Sequence, residues 1–318
     1  MRPIFLEPVY KETIWGGTSL RKLLDREIPS EKTAESWEVC ARENGNNKIL
    51  NGEFEGQTLE ELFNNKIQRK TVFGTYAENL TKFPILNKFI DANDKLSVQV
   101  HPNDNYAKMK ENDSGKTELW YIIDAKPNSK IICGLKRGTT REMVKQKIME
   151  GKLEEVIQEL EVEKGNVVFI PAGAVHSLLE GIVVYEIQQN SDITYRVYDW
   201  NRVDKEGKSR ELHIEKALDV IDYNFKGVVQ KTSNEERSNL ITCDKYFTVY
   251  NINIEGKYKT AGDVRTFFIY TIIEGSGILD TKGKQYLIQK GQSLLIPASM
   301  EEFFIEGHLK IIKTTMSC

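Results

Sequence analysis

The residues best suited to chemistry begin in LSVQVHP, residues 96 to 102. Alternate side chains of a strand point to opposite faces, so Leu96, Val98 and Val100 share one side and Ser97, Gln99 and His101 the other. That polar row holds one of only four histidines in the chain. Two more residues of metal-ligand type follow in similar settings: Glu118 opens the strand-like TELWYIID, and His176 follows the Pro-Ala-Gly turn of IPAGAVHSL. Two imidazoles, a carboxylate and an amide oxygen suit zinc, iron, manganese or cobalt. Gln99, His101, Glu118 and His176 are therefore the candidate ligands of one divalent ion. A single histidine at a strand end is more often a hydrogen-bonded structural residue, and His213, before a helix, and His308, in a Gly turn, read that way. The four ligands carry weight as a set.

Two cationic residues flank the set. Lys116 lies two positions before Glu118 and shares its face, where a bound cation and burial would make its proton easier to lose and suit it to proton shuttling. The bland alternative is a solvated lysine at a strand mouth. Arg196, in TYRVYDW, keeps its charge and suits phosphate or an oxyanion. Asp192 and Asp199 are near enough in sequence to make it a plain ion-paired arginine instead.

The elements that must position these residues are mostly strands. RPIFLEPVYKETIWGG reads as an extended segment ending at Gly16-Gly17, with Trp15 just before the turn as a packing anchor. ESWEVCA (35–41) alternates as a strand. Thr58 and Glu61 have capping-box spacing, and Leu59, Leu62, Phe63 and Ile67 fall on one helical face of a region reaching to about residue 80. PILNKFIDA leads back into strand. NDNYAKMKENDSG, beyond Pro102, reads as polar turns. Thr139 with Glu142 predicts a second capping box, followed by a helical stretch that Gly151 interrupts and whose later half places Leu153, Val156, Ile157 and Leu160 on one side. In TYRVYDW, Thr194, Arg196 and Tyr198 share a face. Ile214, Ala217, Leu218 and Ile221 predict a third helix, and from Asn224 onward short alternating strands are separated by Gly turns.

KGNVVFIPAGAVHSL (164–178) recurs as KGQSLLIPASMEEFF (290–304) at an offset of 126, which sets Glu302 where His176 stands. YIID (121–124) resembles TIIE (271–274) at an offset of 150, which sets Phe268 where Glu118 stands. The difference of 24 residues is about the size of the stretch 138–160. Two related domains follow, the first with inserted helices and the polar set, the second stripped of both. The expected fold is mainly β: a bicupin, two jelly-roll barrels with inserted helical segments, divided into 1–228 and 229–318. Inward-facing polar residues in such a barrel must be hydrogen-bonded or bind something.

Composition excludes several partners. The 318 residues carry 44 basic and 47 acidic side chains, a formal charge of −3 without a basic stripe, so nucleic acid is not expected. Cys40, Cys133, Cys243 and Cys318 are scattered and read as reduced thiols. No secretory signal and no run of 18 apolar residues is visible, so a soluble cytoplasmic protein without a membrane partner is expected.

QVHP (99–102), KTELW (116–120), IPAGAVHSL (170–178) and QQNSDITYRVYDW (188–200), supported by IWGG (14–17), resemble the type I mannose-6-phosphate isomerases, in particular the short form of Gram-positive bacteria. The resemblance covers nearly the whole chain and implies a bicupin holding one zinc ion on Gln99, His101, Glu118 and His176. It places Lys116 and Arg196 at the reacting sugar and Ser97 in contact with it, and Trp15 is retained as a candidate substrate contact. The implied reaction interconverts mannose 6-phosphate and fructose 6-phosphate through a cis-enediol, in a monomer or homodimer acting on a small sugar phosphate. The helical part is smaller than in long members, so phosphate contacts do not carry over. Two histidines and a carboxylate on a cupin also fit a non-haem iron oxygenase, and a non-catalytic sugar-phosphate-binding bicupin is a further alternative.

Overall fold

The computed structural model describes residues 1–203, 206–232 and 236–317; Cys318 lies outside them. The chain divides into two compact units. One comprises Met1–Lys11, Thr18–Phe89 and Thr232–Cys318, and the other Glu12–Gly17 and Ile90–Lys231. The fold is mainly β, as the alternation patterns predict.

The second unit holds every candidate site residue. Strands Val229–Lys231, Asn166–Ile170, Glu118–Ala125 and Ile182–Gln189 pair antiparallel in that order. A five-stranded sheet runs Ile157–Glu161, Lys130–Leu135, His176–Leu178, Val98–Val100, Tyr195–Tyr198. On one face of this sheet Val98, Val100, Ile132 and Tyr195 pack with Val144, Ile148, Ala217 and Leu218 from helices Arg141–Met149 and Ile214–Val220. Burying those apolar side chains, each worth about 1.5–3 kcal/mol, fixes the register and turns the alternate residues to the opposite face. Those alternate residues include Gln99, His176 and Arg196.

The first unit contains a sheet ordered Ile4–Phe5, Ser293–Ile296, Phe268–Thr281, Phe303–Met316, Phe247–Thr260, Ser238–Cys243, with Lys284–Gln289 paired to Phe268–Thr281. Three of its strands run 14 residues, longer than the short strands expected. The repeat survives as hydrogen bonds. Gly165 N–H donates to the Ile122 carbonyl at 2.9 Å and Gly291 N–H to Ile272 at 2.8 Å, while Ala174 to Pro171 and Met300 to Pro297 both measure 3.0 Å. Register agrees as well: Glu118 lies between Ile170 and Gln188, and Phe268 between Ile296 and Thr315. Glu302, matched to His176, is on the surface and ion-paired to Lys259.

Several local expectations are corrected. The Thr58–Glu61 capping box is present, but the helix ends at Asn64. Asn65 caps a separate helix, Lys66–Phe73, which leaves Ile67 85% exposed instead of on the buried face. The polar stretch after Pro102 is a helix, Asp104–Glu111, because Asn103 caps its Tyr106 N–H and Asn112 closes it in the left-handed conformation. Thr140, not Thr139, caps the next helix; Thr139 Oγ1 donates to the Lys136 carbonyl. Beyond Gly151 the predicted helix is a 3-10 turn at Leu153–Glu155 and then strand Ile157–Glu161, paired to Lys130–Leu135. The pairing partner decided this, since isolated apolar spacing cannot separate the two periods. The strand predicted over 96–102 keeps only Val98–Val100 in regular pairing.

Candidate metal centre

The cluster forms where short strands end. His176 pairs across the sheet with Gln99 on one side and Cys133 on the other, and Gln99 pairs with Arg196. Cys133, His176, Gln99 and Arg196 thus form one cross-strand row on one face. His101 lies just past the end of Val98–Val100, and its carbonyl accepts from the Gly173 N–H at 2.8 Å. Gly173, with φ of +91°, is the turn residue before His176; a Cβ there would lie 2.9 Å from the Val220 carbonyl oxygen. One glycine therefore links both histidines. Gly173→Ala is expected to lower unfolding free energy by about 1–3 kcal/mol in urea titration and to loosen metal retention in the same protein.

Glu118 opens its strand on the other sheet. The KTE segment is clamped: Lys116 N–H donates to the Pro102 carbonyl at 3.0 Å, Thr117 N–H to Gln189 Oε1 at 2.9 Å, and Gln189 Nε2 to Asp104 Oδ1 at 2.9 Å. Asp104, the first residue of the unexpected helix, also accepts from Gly115 N–H at 3.0 Å. The helix that sequence patterns missed thus positions Lys116 and Glu118.

His101, Glu118 and His176 are all buried, and one ligand atom from each lies within 4.8 Å of the others. Glu118 Oε1 is 3.2 Å from His176 Nε2, and Oε2 is 3.5 Å from His101 Nε2. Both imidazoles are oriented from behind: His101 Nδ1 meets the Ile193 carbonyl at 2.7 Å and His176 Nδ1 the Ala174 carbonyl at 2.9 Å. A carbonyl only accepts, so each Nδ1 carries a proton and each Nε2 is turned toward the carboxylate. Burial pushes His176 down to about 4, so its ring is neutral at pH 7. The His176 lone pair and the Glu118 carboxylate, 3.2 Å apart, repel unless a cation lies between them. This donor set could hold a metal ion. The Gln99 amide nitrogen stands 3.3 Å from His176 Nε2, and a half-turn of the amide would present its oxygen as a fourth donor.

Lys116 Nζ is buried, 3.7 Å from Glu118 Oε2. Arg196 donates from Nε to Ser97 Oγ at 3.2 Å, which joins two candidate substrate residues directly. A bulge at Val197 breaks the alternation: Arg196 pairs with Gln99 and Tyr198 with Val98, so Tyr198 turns into the core instead of sharing the Arg196 face. Trp15 is buried and its carbonyl accepts from Asp94 N–H at 3.2 Å; the polar contacts of the cluster do not run through it. Two buried residues escaped the sequence reading. Trp120 packs edge-on to His176 with centroids 5.5 Å apart and donates its indole N–H to Glu186 at 2.7 Å. The signal was available, because Glu186 and Gln188 alternate as polar residues in the apolar IVVYEIQQ, as Gln99 does in LSVQVHP.

The family model for the phosphomannose isomerase type I catalytic domain matches residues 4–116, and the mannose-6-phosphate isomerase cupin domain matches 236–316. Mannose-6-phosphate isomerase ManA of Bacillus subtilis strain 168 is 38% identical over 98% of both chains. The chain belongs to the type I mannose-6-phosphate isomerase family. Another relative from that strain, named probable mannose-6-phosphate isomerase GmuF, is 41% identical over 96% of each chain. A crystal structure of the Bacillus subtilis mannose 6-phosphate isomerase superposes with a TM-score of 0.91 at 38% identity, covering 99% of both chains. Among the described residues, no helix is long and apolar enough to cross a membrane.

Proposed function

We propose that Gln99, His101, Glu118 and His176 hold one zinc ion, and that the enzyme interconverts mannose 6-phosphate and fructose 6-phosphate through a cis-enediol. The chain is a mannose-6-phosphate isomerase by family, which sets aside the oxygenase and non-catalytic alternatives. The observation that carries the metal reading is the pair of imidazoles, each tethered through Nδ1 to a carbonyl, turning Nε2 toward one buried carboxylate. Two imidazole nitrogens with a carboxylate and an amide oxygen are a donor set that zinc accepts.

When bound, such an ion supplies Lewis-acid stabilisation of charge developing on the sugar oxygens. The side chains do the rest. In the isomerisation a proton leaves C2 of the open-chain aldose and returns to C1, while carbonyl and hydroxyl exchange places. Lys116, beside Glu118, is proposed to take part in that proton transfer. Arg196 is proposed to stabilise the enediolate or orient the sugar, with Ser97 held against it. The segment 229–318 is proposed as a degenerate cupin without metal ligands, in keeping with Phe268 and the surface-exposed Glu302 at the matched positions. In a coupled assay for fructose 6-phosphate, treatment with chelator is expected to abolish turnover and added zinc to restore it. Full activity in protein shown by elemental analysis to be metal-free would overturn the reading.

A further inference from the structure

Strand Tyr195–Tyr198 is the last of its sheet, paired on one side to Val98–Val100 and open on the other. An open edge leaves backbone N–H and C=O groups that need partners. At Arg196 both go to one residue. The His213 N–H donates to the Arg196 carbonyl at 2.8 Å, and the Arg196 N–H donates to His213 Nδ1 at 3.3 Å. An imidazole nitrogen thus takes the place that a carbonyl oxygen would hold in a neighbouring strand. A backbone N–H only donates, so Nδ1 is unprotonated and the ring proton is on Nε2.

His213 is tied to the fold independently of Arg196. It is the N-cap residue of helix Ile214–Val220, and its carbonyl accepts the first helical bond, from Ala217 N–H at 2.9 Å. Its side chain caps none of the helix's own N–H groups, the usual task of this position, and is turned to the strand instead. Two residues earlier, the Glu211 carbonyl accepts from an Arg196 terminal nitrogen at 2.8 Å, while Arg196 Nε donates to Ser97 Oγ at 3.2 Å. Segment 211–213 therefore holds Arg196 by its main chain and its guanidinium at once. The bulge at Val197 makes this second hold necessary, because the ladder on the other side is interrupted next to Arg196.

The charged groups around the imidazole are Arg196, Lys216, Glu111 and Glu211, the last exposed and 3.9 Å from Nε2, and the Tyr195 ring lies 6.1 Å away. Burial first, with Arg196 and Lys216 acting in the same sense against Glu211 and Glu111, holds His213 below the usual histidine range. At neutral pH Nδ1 is free to accept.

We propose that His213 is a positioning residue for the isomerisation, closing the sheet edge at Arg196 through Nδ1 and so fixing where the guanidinium meets the sugar. This rests on the isomerase reading above, in which Arg196 stands at the sugar; His213 acts through Arg196 and not on the sugar itself. A proton added at Nδ1 turns the acceptor into a donor that opposes the Arg196 N–H, so the clamp opens as pH falls through the His213 titration.

The test compares His213→Leu, which lacks an acceptor, with His213→Asn, whose Oδ1 replaces Nδ1, both in the metal-loaded enzyme. For His213→Leu, kcat for mannose 6-phosphate is expected to fall about 10- to 100-fold, with KM and metal content little changed. His213→Asn is expected to recover most of that loss and, having no titrating ring, to hold its kcat further into acid than the wild type. Amide hydrogen exchange at Arg196 gives a readout apart from turnover: protection is lost in the leucine variant and kept in the asparagine variant. Equal kcat in His213→Leu and wild type, equal losses in the two variants, or the same acid limb in His213→Asn and wild type each overturns the proposal. Where the leucine variant does not fold, the acid limb and the exchange of the asparagine variant decide alone. A wild type and variants that show this exchange pattern while the wild type isomerises no mannose 6-phosphate remove the isomerase reading and leave the clamp standing.

Discussion

Replacing His101 with asparagine is expected to abolish both metal content and isomerase activity while leaving a folded protein. The imidazole donates through Nδ1 to Ile193 and turns Nε2 to within 3.5 Å of Glu118, so the substitution removes one nitrogen donor from a set of three close ligands. A remaining histidine and carboxylate are too few to retain an ion through purification. The expected loss in kcat/KM is on the order of 10³-fold or more, measured alongside elemental analysis of the same preparation. Asparagine can keep a hydrogen bond to the Ile193 carbonyl, so circular dichroism and melting should stay near wild type. A variant with full turnover and no metal would sink the assignment.

The second large effect is expected at Lys116. Methionine matches its length and apolar stem but cannot carry a proton. Because Lys116 Nζ stands 3.7 Å from Glu118 and is not among the donors, Lys116→Met should keep the metal while kcat falls by about 10²–10⁴-fold, the range for a lost general acid or base. The contrast between the two variants separates ion retention from proton transfer. Loss of the ion in Lys116→Met would mean that its charge serves to hold Glu118 in place, and would remove the proton-transfer role.

The strands and the gathering of His101, Glu118 and His176 were legible because both depend on alternation, which a sequence displays directly. Gln99 stood out because its neighbours Val98 and Val100 needed a core, and the helices that cover them confirm that need. Features set by a partner or a single cap were not legible. Residues 157–161 become strand because Lys130–Leu135 offers them an edge, and Tyr198 leaves the Arg196 face because one bulge residue inverts the parity. Asn103 looked like a turn residue, yet the same side chain that favours turns also caps a helix, and that helix holds Gly115 and Gln189 through Asp104. The pairing of Arg202 and Arg210 with Asp199 shows no periodicity, so only folding brings it together.

The carbonyls of Ile193 and Ala174 behind the two imidazoles have a consequence for metal exchange. Their bonds set the tautomer and the ring plane of each histidine through the main chain. The entropy of aligning the donors is then lost during folding and not during capture. Ions should therefore enter and leave as reversible exchange on a standing template, with affinity governed by the ion's own preference for nitrogen and oxygen. On the proposed metal reading, a site built this way would follow the metal supply of its surroundings, taking whichever first-row ion is at hand without altering a residue.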